Sequence, residues 1–250
     1  MALSENGIWH ESFKVRAYEV DPTGRATIQS ICNYFQETAG NHASDLGVSV
    51  DALIKKGLTW VLSRLHVQVT KYPFWRQELR LETWPSGLDH LYAIRDFKLF
   101  NEAGQLISIG TSSWMLLDID ARKPIRMPDF MKEIRKNSGG RALPDEFHKL
   151  PQMERTDHET LFNVRLSDLD MNQHVNNVNY IEWGLESVPT EFRDEHHLAG
   201  MEVSFRAESV YGDRVISRSE IRDENTLIHR LIREGDEREL AQMRTKWIKK

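Results

Sequence analysis

The chain has a single cysteine, Cys32, among 250 residues. An internal disulfide is therefore excluded, and a reducing compartment, the cytoplasm, is the expected location. No apolar run approaches the ~18–20 residues that cross a bilayer as a helix, so no membrane span is expected. The opening stretch MALSENGIWHESFKV lacks a basic segment followed by an apolar one, and no secretory signal is expected. Excess positive charge is missing too. The net charge is −5, which argues against nucleic acid as a partner of the whole chain. No Gly-x-Ser-x-Gly elbow occurs, since Gly47-Val-Ser-Val-Asp51 lacks the second glycine, and no phosphate-cradling glycine loop occurs. His196-His197 and the scattered acids have no metal-ligand spacing, so neither a metal nor a cofactor is expected.

What the sequence does contain is an internal repeat. At a shift of 149 residues, Phe13-Lys-Val-Arg16 falls on Phe162-Asn-Val-Arg165, Asp21 on Asp170 and Glu37 on Glu186. Further on the shift becomes 136: Leu65, Val67 and Val69 meet Met201, Val203 and Phe205, and Trp75 meets Tyr211. The first copy thus carries a 13-residue insertion between the two blocks. Each copy predicts a short strand, then a helix. Ile28, Ile31, Cys32, Phe35 and Ala39 form one apolar helical stripe closed near Gly47; Val178, Ile181 and Leu185 form a shorter one stopped by Pro189. Val67/Val69, Leu79/Leu81 and Met201/Val203/Phe205 alternate with the period of half-buried strands. Asn101–Gly104, Tyr211–Asp213 and Arg233–Asp236 supply hairpin-type turns. A helix followed by an antiparallel meander, twice over, is an α+β arrangement.

Between the copies, from about Ala121 to Asp157, prolines and glycines replace strand signals, and this stretch reads as a linker. The expected domains are 1–140, with the basic linker beginning near 121, and 141–250. Ala121–Arg141 holds seven Lys/Arg (Arg122, Lys123, Arg126, Lys132, Arg135, Lys136, Arg141) against two acids. That run reads either as a solvated loop or as a basic docking surface.

The densest polar cluster is Ser167-Asp-Leu-Asp-Met-Asn-Gln-His-Val-Asn-Asn177. Asp170, Asn172 and His174 stand at alternate positions, which an extended segment would project to one side. They precede a helix, whose free N–H groups and positive dipole end suit a developing oxyanion. A carboxylate, an amide and an imidazole there make a hydrolytic set; the same residues also suit an Asx-turn and N-cap network. The repeat weighs between the two. Its first copy has Asp21, Thr23 and Arg25 at these positions, keeping the aspartate and losing the Asn/His pair. A folding requirement should recur in both copies, whereas a feature of one copy points to a site kept on one side.

Asp168–Asn177, with Tyr180, Trp183 and Glu186-Ser-Val-Pro189 after it, closely resembles the signature of the acyl-acyl carrier protein thioesterases of plants and bacteria. Gln36-Glu-Thr-Ala39 with Asn41-His42, and Trp60–Arg64 through Lys71-Tyr-Pro73, resemble the first half of that family. The resemblance implies two tandem hotdog folds, each a long helix wrapped by an antiparallel sheet. It implies hydrolysis of fatty acyl-acyl carrier protein thioesters, which ends chain elongation, and a catalytic set of Asp170, Asn172, His174 and Glu208. Glu208 is followed by Ser209, where the family commonly has a cysteine; this favours the carboxylate as the working group. Tyr72 stands at the first-copy position of Glu208. The implied partner is acyl carrier protein, an acidic protein for which the basic linker is the docking candidate. A homodimer is the assembly expected. A coenzyme A thioesterase of the same class and a non-catalytic acyl-binding protein are the alternatives.

Overall fold

The structure is a computed structural model and describes residues 7–134 and 140–250. The chain folds as two compact units, the first ending at Glu146 and the second starting at Phe147, with residues 64–66 counted in the second. Among the described residues no helix is long and apolar enough to cross a membrane.

The first unit runs β1 (Trp9–Lys14), α1 (Ile28–Asp45), α2 (Val50–Ile54), β2 (Leu58–Val69), β3 (Glu78–Leu88), β4 (Ala93–Asn101), β5 (Leu106–Asp118), β6 (Lys123–Ile125) and α3 (Asp129–Ile134). Its strands lie in the order β1-β3-β4-β5-β2, with β6 on β5. Thr27 caps α1 by accepting the Ser30 N–H, and Gly47 follows the helix in the left-handed conformation at φ +71°. The five predicted stripe residues are all buried, and the helix lies on β1 and β3. Phe35 stacks on Phe97 of β4 with ring centroids 4.5 Å apart.

The second unit runs β7 (His158–Asn163), α4 (Asn177–Glu186), α5 (Thr190–Glu195), β8 (His196–Phe205), β9 (Arg214–Asp223), β10 (Thr226–Arg233) and β11 (Glu239–Lys249). Its order, β7-β9-β10-β11-β8, repeats that of the first unit. β1 and β7 begin and end 149 residues apart, as do the starts of α1 and α4. α1 has 18 residues and α4 has 10, so eight of the inserted residues lengthen the helix. Gly184 stands where the first unit has Phe35. A Cβ there would come within 2.5 Å of the Met243 methyl, so α4 approaches β11 closely.

Two expectations change. Asn101–Gly104 and Arg233–Asp236 are hairpin turns, but Tyr211–Asp213 is not, because β8 pairs with β11 rather than with β9. The chain crosses the sheet there, and each copy is a three-stranded meander with its first and second strands on the outer sides. The expected linker is also folded over its first part. β6 pairs with β5, and Met127 and Met131 enter a core cluster with Val48, Leu53 and Leu116.

Candidate active site

The polar cluster of the second unit is a tight turn rather than an extended strand. The Asp170 N–H donates to the His174 carbonyl (2.8 Å) and the Gln173 N–H to the Asp170 carbonyl (3.0 Å). The Asp170 side chain folds back, Oδ1 accepting the N–H of Asn172 at 2.8 Å and of His174 at 3.4 Å. Asp170 therefore closes an Asx-turn and does not project beside Asn172 and His174 as alternation suggested. Gln173, between them, has φ +64°, a conformation a non-glycine residue adopts only under constraint.

Arg165 and Asp168 anchor the turn upstream through a paired guanidinium and carboxylate, Nη2 to Oδ1 at 2.7 Å. The Asp168 carbonyl accepts the Asn176 N–H (2.9 Å) and the Asn179 side-chain amide (2.7 Å). Asn176 then caps α4 by accepting the Val178 N–H at 3.0 Å.

Downstream, the Val175 N–H donates to the Ser209 carbonyl at 2.9 Å, which fastens the turn to the loop after β8. His174 and Glu208, each adjacent to one end of that bond, consequently meet: Nε2 lies 3.4 Å from Oε2. Their side chains are 33% and 43% exposed, so a substrate can reach both. Asn172 is exposed on the same turn.

Ser209 faces the other way. It is fully buried, and its hydroxyl donates to Asp213 Oδ2 at 2.7 Å. Burial alone would raise the Asp213 pKa, but hydrogen bonds from Ser209, the Val210 N–H and Arg233 outweigh it and hold the carboxyl below its ordinary value. Asp213 and Arg233 are second-unit residues that the sequence did not single out for the site. Tyr180, quoted there only within the resemblance, is buried on α4 and packs edge-on against Phe205 with centroids 6.2 Å apart. Burial, with the nearby charges of Glu208 and Asp213, raises its pKa against the opposing hydrogen bond from the Ser209 backbone, so the hydroxyl keeps its proton. The repeat held a signal for it, since the matching residue is Ile31, which is apolar.

The first unit builds the same turn with other side chains. The Asp21 N–H donates to the Arg25 carbonyl (2.8 Å), and Asp21 Oδ1 accepts the N–H of Thr23 (2.8 Å) and of Arg25 (3.1 Å). Gly24, at φ +80°, takes the place of Gln173. The Ala26 N–H donates to the Pro73 carbonyl at 2.8 Å, as Val175 does to Ser209. Where His174 and Glu208 meet, this unit has an exposed arginine, Arg25, and a tyrosine, Tyr72, whose hydroxyl is buried.

Of the docking candidates, Arg122, Lys123, Arg126 and Lys132 are exposed; Lys132 pairs with Asp129 at 2.6 Å. Arg135 and Lys136 lie outside the described residues. Arg141 is engaged within the first unit, its Nε donating to the buried Asp96 at 3.1 Å and its Nη2 to Thr111 and the Leu143 carbonyl. It is therefore a poor donor to any partner.

The repeated α+β unit thus joins an imidazole to a carboxylate beside one helix start and not beside the other. Comparison with known proteins gives the family. Residues 7–135 match the family model of the acyl-ACP thioesterase N-terminal domain, and residues 152–249 that of the C-terminal domain. The chain belongs to the acyl-ACP thioesterases, which are thioester hydrolases. Among its relatives, oleoyl-acyl carrier protein thioesterase 1 of Arabidopsis thaliana, a chloroplastic protein, is 32% identical over all of this chain and 78% of its own length. An acyl-ACP thioesterase from Bacteroides thetaiotaomicron superposes with a TM-score of 0.88 at 25% identity, over 99% of this chain and 100% of that one. The 12:0-ACP thioesterase from Umbellularia californica also gives 0.88, at 27% identity, over 97% and 98%.

Proposed function

We propose that the chain hydrolyses fatty acyl-acyl carrier protein thioesters to release the free fatty acid, with all of its chemistry in the second unit. Both units are read as hotdog folds in tandem, the first catalytically silent. The observation that carries this reading is the 3.4 Å approach of His174 to Glu208. In the mechanism proposed, Glu208 takes a proton from a water whose oxygen bonds to the thioester carbonyl carbon. Asn172 orients the water or the carbonyl. Collapse breaks the carbon–sulfur bond, the proton passes to the departing thiolate of the carrier's arm, and the carboxylic acid leaves. His174 and Asp170 hold the array, Asp170 through the turn it closes. A positioned base contributes about 10²–10⁴-fold and one oxyanion donor about 3 kcal/mol.

The carrier is acidic, and the exposed Arg122, Lys123, Arg126 and Lys132 are the surface proposed to meet it. A homodimer and a cytoplasmic location belong to the same reading; the one cysteine, buried and unpaired, suits a reducing compartment.

The test is hydrolysis of acyl carrier protein, coenzyme A and pantetheine thioesters over a graded set of chain lengths. The carrier substrate should give the highest kcat/KM, and that preference should fall with salt, since the Debye length is about 8 Å at ~0.15 M. Equal kcat/KM on coenzyme A esters would favour a coenzyme A thioesterase. Binding without turnover of any would leave an acyl-binding protein.

A further inference from the structure

The loops of the first unit that match the candidate site present a different surface. Tyr18 is 79% exposed, Phe74 42% and Trp75 47%, and Arg16, Arg25 and Arg76 are exposed beside them. Each arginine lies over one ring: Arg16 at 6.0 Å from the Tyr18 centroid, Arg25 at 5.7 Å from Phe74 and Arg76 at 4.0 Å from Trp75. Backbone contacts tie the three pairs into one face. Arg25 bridges Phe74, the Trp75 N–H donates to the Gly24 carbonyl (2.9 Å), and the Arg76 N–H donates to the Val15 carbonyl (2.9 Å). The acids within the face are engaged: Asp21 closes its turn, and Glu19 accepts the Arg16 N–H (2.7 Å) and the Tyr34 hydroxyl (2.6 Å) and also pairs with the Arg16 guanidinium at 3.6 Å, so the net positive charge of the face comes from Arg25 and Arg76.

Arg76 is the most informative of the six. Its φ is +70°, and its counterpart in the second unit is Gly212 at φ +85°. Left-handed backbone favours glycine, and holding an arginine there is destabilising. The first unit nevertheless has a guanidinium at this position, lying over an exposed tryptophan.

We infer that this face docks the first unit onto an anionic lipid surface. Tryptophan and tyrosine favour the headgroup level of a bilayer, where an apolar ring and a polar edge are both accommodated. Each basic residue near an anionic surface adds about fivefold to partitioning. The rings supply apolar area and the arginines attraction to anionic headgroups, the two contributions that set the strength of interfacial binding. A guanidinium over a ring keeps its in-plane N–H groups, so each arginine–ring pair presents positive charge, donors and apolar surface together. That suits a fluid headgroup layer better than one fixed protein surface. The inference goes beyond the proposed hydrolysis, although a fatty-acid product that leaves water for a bilayer would give such docking a use.

The test is co-sedimentation of the whole chain with vesicles containing phosphatidylglycerol and with vesicles of phosphatidylcholine alone. Binding to the anionic vesicles, weakening with salt, is expected. Arg25→Glu with Arg76→Glu should reduce it at least about 25-fold, taking about fivefold for each arginine. Phe74→Ser with Trp75→Ser should reduce it too. Arg76→Gly is the sharpest variant, because it relieves the backbone: Tm should hold or rise while vesicle binding falls about fivefold. No binding to anionic vesicles, equal binding to phosphatidylcholine, or binding indifferent to these substitutions would overturn the inference. So would binding of purified apo acyl carrier protein that the double arginine variant abolishes while vesicles do not bind, which would make the face a protein-docking one. The measurement is of binding alone, so its failure and a failure of hydrolysis are separate results.

Discussion

The two units share a turn and differ in what they place around it. In both, an aspartate accepts the N–H groups two and four residues on, and the residue after the turn is bonded to the loop following the next long strand. Thr23, Arg25 and Tyr72 occupy that frame in the first unit; Asn172, His174 and Glu208 occupy it in the second. The comparison separates two kinds of residue that a single copy would mix. Asp21 and Asp170 are present in both because the fold requires the turn. At the other three positions the units differ: Thr23 bonds Asp21 through its hydroxyl and the Tyr72 hydroxyl is buried, whereas the second unit has groups suited to chemistry.

The largest effect should come from the pair that exists in one unit only. Glu208→Ala is expected to lower kcat by at least about 10²-fold, and His174→Ala, which loses the group 3.4 Å from that carboxylate, to lower it too but by less, while the thermal melt stays cooperative in both. Near-normal kcat in Glu208→Ala would remove that carboxylate from the mechanism.

The shared aspartates come next. Asp21→Ala and Asp170→Ala should destabilise the chain alike, by about 1.5–3 kcal/mol each, since hydrogen bonds to a charged acceptor are lost in both. Only Asp170→Ala should also reduce turnover, because only that turn carries His174. Chemical denaturation and steady-state kinetics on the two variants would check both halves of the statement.

Each unit also buries one histidine without its charge. His42 and His229 are fully buried, and burial lowers the pKa of each from 6.5 to about 3, the Arg95 guanidinium adding to the effect at His42. Between those values the unfolded chain binds the protons and the folded chain does not, so stability is lost as pH falls below about 6.5. Each histidine should contribute about 1.4 kcal/mol per pH unit well inside that window. Replacing His229 with Gln should reduce the slope of a denaturant-midpoint titration between pH 6 and 4; an unchanged slope would mean that the imidazole titrates normally.

The smallest effect is expected at Ser209, next to the proposed base Glu208 yet turned away from it. Ser209→Ala removes one buried hydrogen bond to Asp213 and should cost about 1–3 kcal/mol of stability. Turnover should stay within a few-fold of the parent. Abolished turnover together with a trapped acyl-serine would contradict the water mechanism.

Local signals were legible in the sequence wherever a residue's neighbours along the chain decide its fate. The stripe from Ile28 to Ala39 is buried on α1, and the 149-residue offset recurs in the bounds of β1 and β7. Strand order was not legible. The Tyr211–Asp213 turn looks the same whether the chain turns back as a hairpin or crosses to the far side of the sheet, and only pairing of β8 with β11 decides it. Arg141 read as a free basic residue because its partner, Asp96, lies 45 positions away. The segment holding Met127 and Met131 read as linker because its strand and helix are too short to show a period. At the site, alternation placed Asp170 beside His174. In the structure the carboxylate instead folds onto the backbone, which an Asx residue can do whenever two N–H groups need an acceptor.

The central claim, that matched positions are chemical in one unit and structural in the other, is tested most directly by Asn172→Ala and Thr23→Ala. These residues occupy the same place in the two turns, and each donates its N–H to its aspartate at 2.8 Å. Single-turnover hydrolysis of an acyl carrier protein thioester should slow by at least about 10²-fold in Asn172→Ala and change by less than about twofold in Thr23→Ala. Equal slowing in both, or none in Asn172→Ala, would contradict the account.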